Sequence, residues 1–285
     1  MSTTTEESVR LAALDGHALG GIWFQPSQAP RAAAIVNGAV GAKQRIYAPL
    51  ARSLAGLGIA TLTYDYRGIG ASRPQSLRGF RTDLRDWTIS DAGGAIAAVR
   101  ARHPDIPLLG VGHSLGGQLL GLQREPDAFS RYVAVATLSG YWRNLDDSWR
   151  AFIRMNLVGA PLAMALGHVP GFLGLGEDLP AGVFLQWARW CRQPDYLFDA
   201  PEMPEKANFA RYTGPYLAIG ATDDPWGNPR ALRALLKHYD NATVEEAWLE
   251  PARSPNGRIG HFGFFRPENR EALWPVLTDW LTRDL

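Results

Sequence analysis

The sequence offers little for disulfide bonding, metal binding or membrane insertion. Its 285 residues include one cysteine, Cys191, which cannot form a disulfide within the chain, so nothing requires an oxidising compartment. The longest uncharged run, residues 155–176, is interrupted by glycine and proline and would make a poor spanning helix. Residues 1–10 are polar and lack the apolar stretch of a secretory signal, and no HExxH-type metal pattern is present. We therefore expect a cytoplasmic protein with no cofactor, no metal and no firm membrane association.

The chain also has almost no excess of charge of either sign. Lys and Arg number 29 and Asp and Glu number 28, which gives a net charge of +1. A chain so close to neutrality has no electrostatic reason to bind nucleic acid, and it favours a small-molecule substrate that is neutral or apolar. Hydrophobic residues make up 46% of the chain and charged residues 20%, an ordinary globular mixture that excludes a disordered or fibrous protein.

Strand-like apolar runs alternate with helical patterns along most of the chain. A hairpin is expected first, and it is followed by six strands with helices between them. The expected strands cover residues 8–14, 17–24, 32–36, 59–64, 106–111, 132–138, 215–221 and 243–249, and the helices cover 44–55, 83–102, 115–123, 229–239 and 268–281. This order predicts an α/β fold with a mostly parallel central sheet flanked by helices. In such sheets, sites lie at the carboxyl ends of the strands.

The first of these strand ends carries GHSLGG at residues 112–117, which fits the pattern G-x-S-x-G. A serine in a tight strand-to-helix turn needs small residues two positions before and after it, so Ser114 is the candidate nucleophile. Two alternatives are a glycine-rich packing turn and a dinucleotide loop built on Gly110, Gly112 and Gly116. The dinucleotide spacing is one residue too long, and the acidic residue expected after the next strand is missing.

Two adjacent acids follow the strand expected over residues 215–221. A carboxylate at this place could orient a catalytic histidine and stabilise its cation. Asp223 is the favoured candidate because it leaves the strand first, and Asp224 is the alternative. The remaining interpretation is that both are turn residues only.

A histidine in a glycine-flanked loop completes the set. His261 lies downstream of the acid, whereas the other histidines lie in the hairpin, at helix ends, in the irregular middle of the chain or beside the serine. The order Ser114, Asp223, His261 is the order of an α/β-hydrolase triad. His261 is therefore the candidate general base, with a satisfied structural histidine as the alternative.

The oxyanion hole of such an enzyme needs two backbone N–H donors. The residue after the nucleophile, Leu115, is the first candidate. The second is expected from the loop after the strand over residues 32–36, where Ala39 is favoured and Val40 is the alternative. An ordinary strand-exit turn would look similar.

These motifs give the chain a family resemblance over nearly its whole length. It resembles the α/β-hydrolase superfamily through Asn37-Gly38, DYRGIGAS at residues 65–72, the GHSLGG stretch, Asp223 and His261. More narrowly, DYRGIG and the GHFGFFR stretch at residues 260–266 resemble stretches found in a group of bacterial predicted serine hydrolases, which are described as serine-aminopeptidase-like. Many relatives have His-Gly where this chain has Asn37-Gly38. The resemblance implies an α/β-hydrolase fold and a serine hydrolase activity.

The regular alternation stops between residues 141 and 212, in a segment rich in aromatic residues. This superfamily commonly places a cap there. We expect a core domain of residues 1–140 and 213–285 with an inserted helical cap of residues 141–212. Trp142 and Trp187 are candidate pocket walls, and Cys191 is expected to pack inside the cap without reacting.

Together these features predict a serine hydrolase that cleaves a carboxylic ester or thioester with an apolar acyl part, through a Ser-His-Asp triad and an acyl-enzyme. Two alternatives use the same fold. One is an acyltransferase, in which an alcohol or thiol replaces water, and the other is a binding protein without enzymatic activity.

Overall fold

The computed structural model describes residues 4–283 and 285. Residues 1–3, at the start of the polar N-terminal segment and of the predicted core domain, lie outside the described part. The described residues form ten strands: β1 (Thr5–Ala12), β2 (Ala18–Gln25), β3 (Ala32–Asn37), β4 (Ile59–Tyr64), β5 (Leu108–His113), β6 (Arg131–Val135), β7 (His168–Val169), β8 (Leu179–Pro180), β9 (Pro215–Ala221) and β10 (Thr243–Leu249). Eight of them form one sheet in the order β1-β2-β4-β3-β5-β6-β9-β10. β7 and β8 form a separate antiparallel pair.

The predicted α/β class is confirmed. β1 and β2 form the expected hairpin, β2 pairs antiparallel with β4, and the pairings from β4 through β10 are parallel. Seven α-helices accompany the sheet in the described residues: α1 (Ala48–Gly56), α2 (Ala92–Arg102), α3 (Ser148–Phe152), α4 (Ala160–Leu166), α5 (Ala181–Trp190), α6 (Pro229–Leu236) and α7 (Arg270–Leu281). Pro275 lies inside α7.

Helices cover the sheet on both faces, which explains why the central strands are buried throughout. Every residue of β3, β4 and β5 is buried. Leu50 and Leu54 of α1 pack in one cluster with Leu277 of α7, whereas α2 contributes Val99 to the opposite cluster. Each fully buried leucine or valine stabilises the fold by about 1.5–3 kcal/mol through removal of apolar surface from water.

The ends of β5 and β6 differ from the sequence-based expectation, and both differences shape the site. β5 runs to His113, two residues beyond the predicted end, because its parallel pairing continues opposite Asn37 and Val135. β6 ends at Val135, before the predicted residue 138, because Ala136 takes a left-handed φ of 53° that no strand residue adopts. The helix predicted after Ser114 is present only as two short turns, Ser114–Gln118 and Leu120–Leu122.

The segment between β6 and β9 is helical and lies beside the carboxyl ends of the strands. A π-helical stretch, Ile153–Gly159, joins α3 to α4, and α5 follows the β7–β8 pair. Phe184 and Trp190 of α5 are buried in the same cluster as Leu115 of the central turn. Several large apolar side chains of this segment are exposed, of which Phe172 is the most exposed at 83%.

Candidate active site

Ser114 lies in the sharp strand-to-helix turn that the sequence predicts. It directly follows β5, opens the turn Ser114–Gln118 and has a φ of 54°, a left-handed conformation that costs a non-glycine residue about 1–3 kcal/mol. Its neighbours must be glycine, because a Cβ on Gly112 would lie 2.4 Å from the Gly116 carbonyl carbon. A Cβ on Gly116 would lie 2.0 Å from the Asn37 carbonyl oxygen. The glycine spacing is therefore a steric requirement of the turn that presents Ser114.

His261 is held by a buried carboxylate, and that carboxylate is Asp224. The His261 Nδ1 atom lies 2.7 Å from Asp224 Oδ2. Asp224 is 1% exposed and also accepts a hydrogen bond from the Trp226 N–H at 2.9 Å. Burial alone would raise the pKa of Asp224, but the charge and hydrogen bond of His261 and the backbone N–H donors together lower it. Because a carboxylate only accepts, Nδ1 is the nitrogen that donates to Asp224.

The prediction that Asp223 contacts His261 is wrong. Asp223 instead accepts hydrogen bonds from the N–H groups of Ile259 and Gly260, at 2.9 and 2.8 Å. The turn after β9 sends the Asp224 side chain into the protein and leaves the Asp223 side chain half-buried at the His261 loop. Asp223 thus fixes the backbone just before His261, whereas Asp224 contacts the imidazole ring of His261.

His113 connects three parts of the site, although the sequence indicated only that it packs beside the serine. Its Nε2 lies 2.8 Å from the His261 carbonyl oxygen and its Nδ1 lies 2.9 Å from the Tyr47 hydroxyl. A carbonyl only accepts, so His113 donates from Nε2 and accepts from Tyr47 at Nδ1. Burial, with the nearby charge of His261, lowers the pKa of His113 to about 3, which keeps the ring neutral. The sequence signal that could have indicated this role is the position of His113 directly before Ser114.

The expected oxyanion donor Ala39 is also corrected. Its N–H donates to the Tyr47 hydroxyl at 2.9 Å and is therefore engaged. The next N–H, that of Val40, has no hydrogen-bond partner among residues 4–283 and 285. Leu115 lies at the start of its helical turn, where an N–H has no partner within the turn. Leu115 stays a prediction as the first donor. Because the Val40 N–H has no partner in the described chain, Val40, the alternative, becomes the candidate for the second donor.

Asn37 occupies the position where many α/β-hydrolases have histidine, and its side chain lies in the core. The Asn37 amide donates to the Tyr132 hydroxyl at 2.9 Å and accepts from the Tyr64 hydroxyl at 2.8 Å. These bonds satisfy the side chain and anchor the loop that carries Ala39 and Val40.

One cavity of about 390 Å³ brings the predicted residues together. Ser114, His261, Leu115, Ala39 and Val40 all line it. The segment of residues 141–212 contributes further lining residues, namely Arg154, Gly174, Leu175, Trp187 and Tyr196. Trp187 is thus a cavity wall, as expected. Trp142 is not among the lining residues of the described chain and packs against Trp149 and Phe152, at ring distances of 4.9 and 5.0 Å.

The chain is similar to a known protein family and to solved structures. The family model for serine aminopeptidase, S33 matches residues 28–166, which include Ser114 but end before Asp224 and His261. The structure of a soluble variant of monoglyceride lipase from Saccharomyces cerevisiae, in complex with a substrate analog, superposes with a TM-score of 0.68. That superposition covers 99% of this chain and 95% of the yeast chain, at 17% sequence identity.

The likeness to solved structures shows that the chain has the α/β-hydrolase fold. Monoglyceride lipase of Mus musculus is 29% identical over 128 residues, which are 44% of this chain and 41% of the mouse protein. A monoglyceride lipase homolog of Monkeypox virus is 23% identical over 163 residues, 56% of this chain and 54% of the viral protein. The matched region thus spans about half the length of these relatives. The relatives and structural neighbours include esterases and lipases.

Cys191 is not among the residues that line the cavity. Its side chain is 2% exposed, and burial raises the pKa of the thiol, so the reactive thiolate is disfavoured. In the described part of the chain, no group of three or more His, Cys, Asp or Glu side chains could hold a metal ion. Among the same residues, no helix is both long and apolar enough to cross a membrane.

Proposed function

We propose that this protein is a serine hydrolase that cleaves carboxylic esters or thioesters with an apolar acyl part. Ser114 is the nucleophile, His261 the general base and acid, and Asp224 the residue that orients His261. One observation carries the proposal: a histidine hydrogen-bonded to a buried carboxylate lines the same cavity as a serine in a strained elbow. A protein that only binds its ligand has no need of this combination.

The first half of the reaction forms an acyl-enzyme. The Ser114 Oγ attacks the carbonyl carbon of the ester while His261 Nε2 takes the hydroxyl proton. Negative charge develops on the former carbonyl oxygen and is stabilised by the N–H groups of Leu115 and Val40. Each such donor is worth about 10²–10³ in rate. When the bond to the leaving group breaks, His261 gives its proton to the departing alcohol or thiol.

The second half returns the enzyme to its starting state. A water molecule attacks the acyl carbon and gives a proton to His261, which then passes it to the Ser114 oxygen as the acid leaves. If an alcohol or thiol replaced water at this step, the same residues would transfer the acyl group. The two outcomes differ only in the acceptor.

The cavity wall supports an apolar acyl part. Leu115, Leu138, Leu175 and Trp187 line it beside the serine, and burial of each methylene of an acyl chain against such a surface stabilises the complex by about 0.8 kcal/mol. Two relatives are named as a monoglyceride lipase and a monoglyceride lipase homolog. Because a monoglyceride is a carboxylic ester, these names support an ester substrate. We propose a small-molecule substrate for this chain on these grounds.

A fluorophosphonate probe and p-nitrophenyl esters of graded chain length test the proposal. Wild-type protein and the Ser130→Ala control, at an exposed serine, should be labelled once and should hydrolyse the esters. Ser114→Ala should be neither labelled nor active above background. Labelling that persists in Ser114→Ala would overturn the nucleophile, and an unlabelled, inactive wild type would favour the binding protein. Ester consumption that yields new esters with added alcohols, and little free acid, would identify an acyltransferase.

A further inference from the structure

The cavity that holds Ser114 and His261 has an excess of positive charge. Arg154, Arg258 and Arg266 all line it, and none of its described lining residues is Asp or Glu. The chain as a whole has a net charge of only +1, so the excess is a property of this cavity and not of the protein surface in general. Like charges that line one cavity repel one another, and a ligand of opposite charge is attracted to them.

None of these three guanidinium groups has an acidic partner in the protein. No hydrogen bond or ion pair joins their side chains to any residue in the described chain. Arginines elsewhere in the chain do have acidic partners. Arg73 contacts Asp178 at 2.7 Å, and Arg189, in the inserted segment, contacts Glu202.

Arg154 shows most clearly that a partner is missing. Its Nε atom is buried and has no hydrogen-bond partner, although buried polar atoms are nearly always satisfied. The guanidinium carbon lies 5.3 Å from the centre of the Trp226 ring, which holds the charged group against the cavity wall. An arginine fork matches the geometry of a carboxylate or phosphate.

The three arginines lie on the side of the cavity that holds His261. Arg258 and Arg266 belong to the same loop as His261. Arg154 is connected to it through Trp226, whose ring centre lies 6.3 Å from that of His261. In ester cleavage the leaving oxygen or sulfur must contact the histidine that protonates it. The leaving group is therefore the part of the substrate that lies nearest the arginines.

We propose that the alcohol or thiol released by this enzyme carries an anionic oxyacid group, a carboxylate or a phosphate, which Arg154, Arg258 and Arg266 bind. The inference rests on the proposed hydrolase function and adds the chemistry of the leaving group. It departs from the wholly neutral substrate that the net charge of the chain favours. The acyl part remains apolar, and the anion is confined to the side that His261 protonates.

Matched aryl esters test the placement of the anion. The substrates are 4-butyryloxybenzoate and 4-butyryloxyphenyl phosphate, with methyl 4-butyryloxybenzoate as the neutral partner and p-nitrophenyl hemisuccinate as an ester with its anion in the acyl part. Each kcat/KM is divided by the alkaline hydrolysis rate of the same ester. We expect wild-type protein to favour at least one anionic leaving group over the methyl ester by about tenfold or more. The preference should shrink at high salt, because Arg258 and Arg266 are exposed to solvent and their charges are screened by salt.

Arginine variants decide whether the cavity causes the preference. Arg154→Met should lower kcat/KM for the anionic ester about tenfold more than kcat/KM for the methyl ester. If Arg154→Met does not fold, Arg266→Met takes its place and the same result is expected. Arg124→Met, at an exposed arginine outside the cavity, should change neither value. Equal use of anionic and neutral leaving groups, a preference for the acyl-side anion, or a preference that the cavity variants do not alter would overturn the inference. If wild type hydrolysed none of the esters and took no fluorophosphonate, the proposed function itself would fail.

Discussion

The imidazole of His113 donates its Nε2 hydrogen to the backbone carbonyl of His261, over 2.8 Å. Through its other nitrogen, the same ring accepts from Tyr47, whose hydroxyl accepts the Ala39 N–H. One series of hydrogen bonds thus joins the loop of the predicted oxyanion hole, the turn of Ser114 and the loop of His261. Such second-layer contacts keep catalytic groups within the narrow tolerance that proton transfer requires.

The two adjacent acids should respond differently to removal of charge. Asp224→Asn replaces the carboxylate that accepts from His261 Nδ1 and should lower kcat/KM for a p-nitrophenyl ester by about 10⁴, because the amide supports the wrong tautomer of the ring. Asp223→Asn keeps one acceptor for the His261 loop, so we expect a loss of less than about tenfold and a decrease in unfolding free energy of about 1 kcal/mol. Steady-state kinetics and urea unfolding of both variants measure this. A larger activity loss in Asp223→Asn would contradict the assignment of Asp224.

The second oxyanion donor can be tested atom by atom. Replacing the Val40 residue with its α-hydroxy acid analogue converts the peptide N–H into an ester oxygen and removes one donor. We expect kcat to fall by about 10²–10³, because that donor would act in the transition state. The matched change at Ala39 removes a hydrogen bond to Tyr47 and should lower stability by about 1 kcal/mol, with a smaller effect on kcat. A larger kcat loss at Ala39 than at Val40 would restore Ala39 as the donor.

His113 should make the protein less stable in acid. Its pKa falls from 6.5 in the unfolded chain to about 3 in the folded protein, since burial opposes the charged ring. Between these two values only the unfolded chain binds the proton, so stability is complete above pH 6.5 and declines as the pH falls toward 3. The slope for one proton is about 1.4 kcal/mol per pH unit.

Urea unfolding of wild type and His113→Gln between about pH 5 and pH 7 isolates this contribution. Glutamine cannot take up the proton but can still donate to the His261 carbonyl, so the variant should show a shallower dependence of stability on pH. Comparison of the slopes removes the contributions of the other histidines. Parallel slopes would mean that His113 is not the group that titrates.

Much of the fold could be predicted because it depends on patterns that are local in the chain. β4, β9 and β10 begin and end at the predicted residues, since each apolar run is bounded by glycine, proline or polar turn residues. The ends of β5 and β6 were misplaced because pairing with neighbouring strands and the left-handed Ala136 decide them. Neither cause is visible in a single stretch of sequence.

For the site, the sequence by itself determined the elbow at Ser114 and the loop of His261. The elbow requires glycine at positions 112 and 116 for steric reasons that operate within a few residues. Only the tertiary structure decided between Asp223 and Asp224 and between Ala39 and Val40, because the deciding partners, His261 and Tyr47, come from other parts of the chain. The unpaired arginines of the cavity also emerge only there, because the packing of three segments determines which charges meet and which remain without a partner.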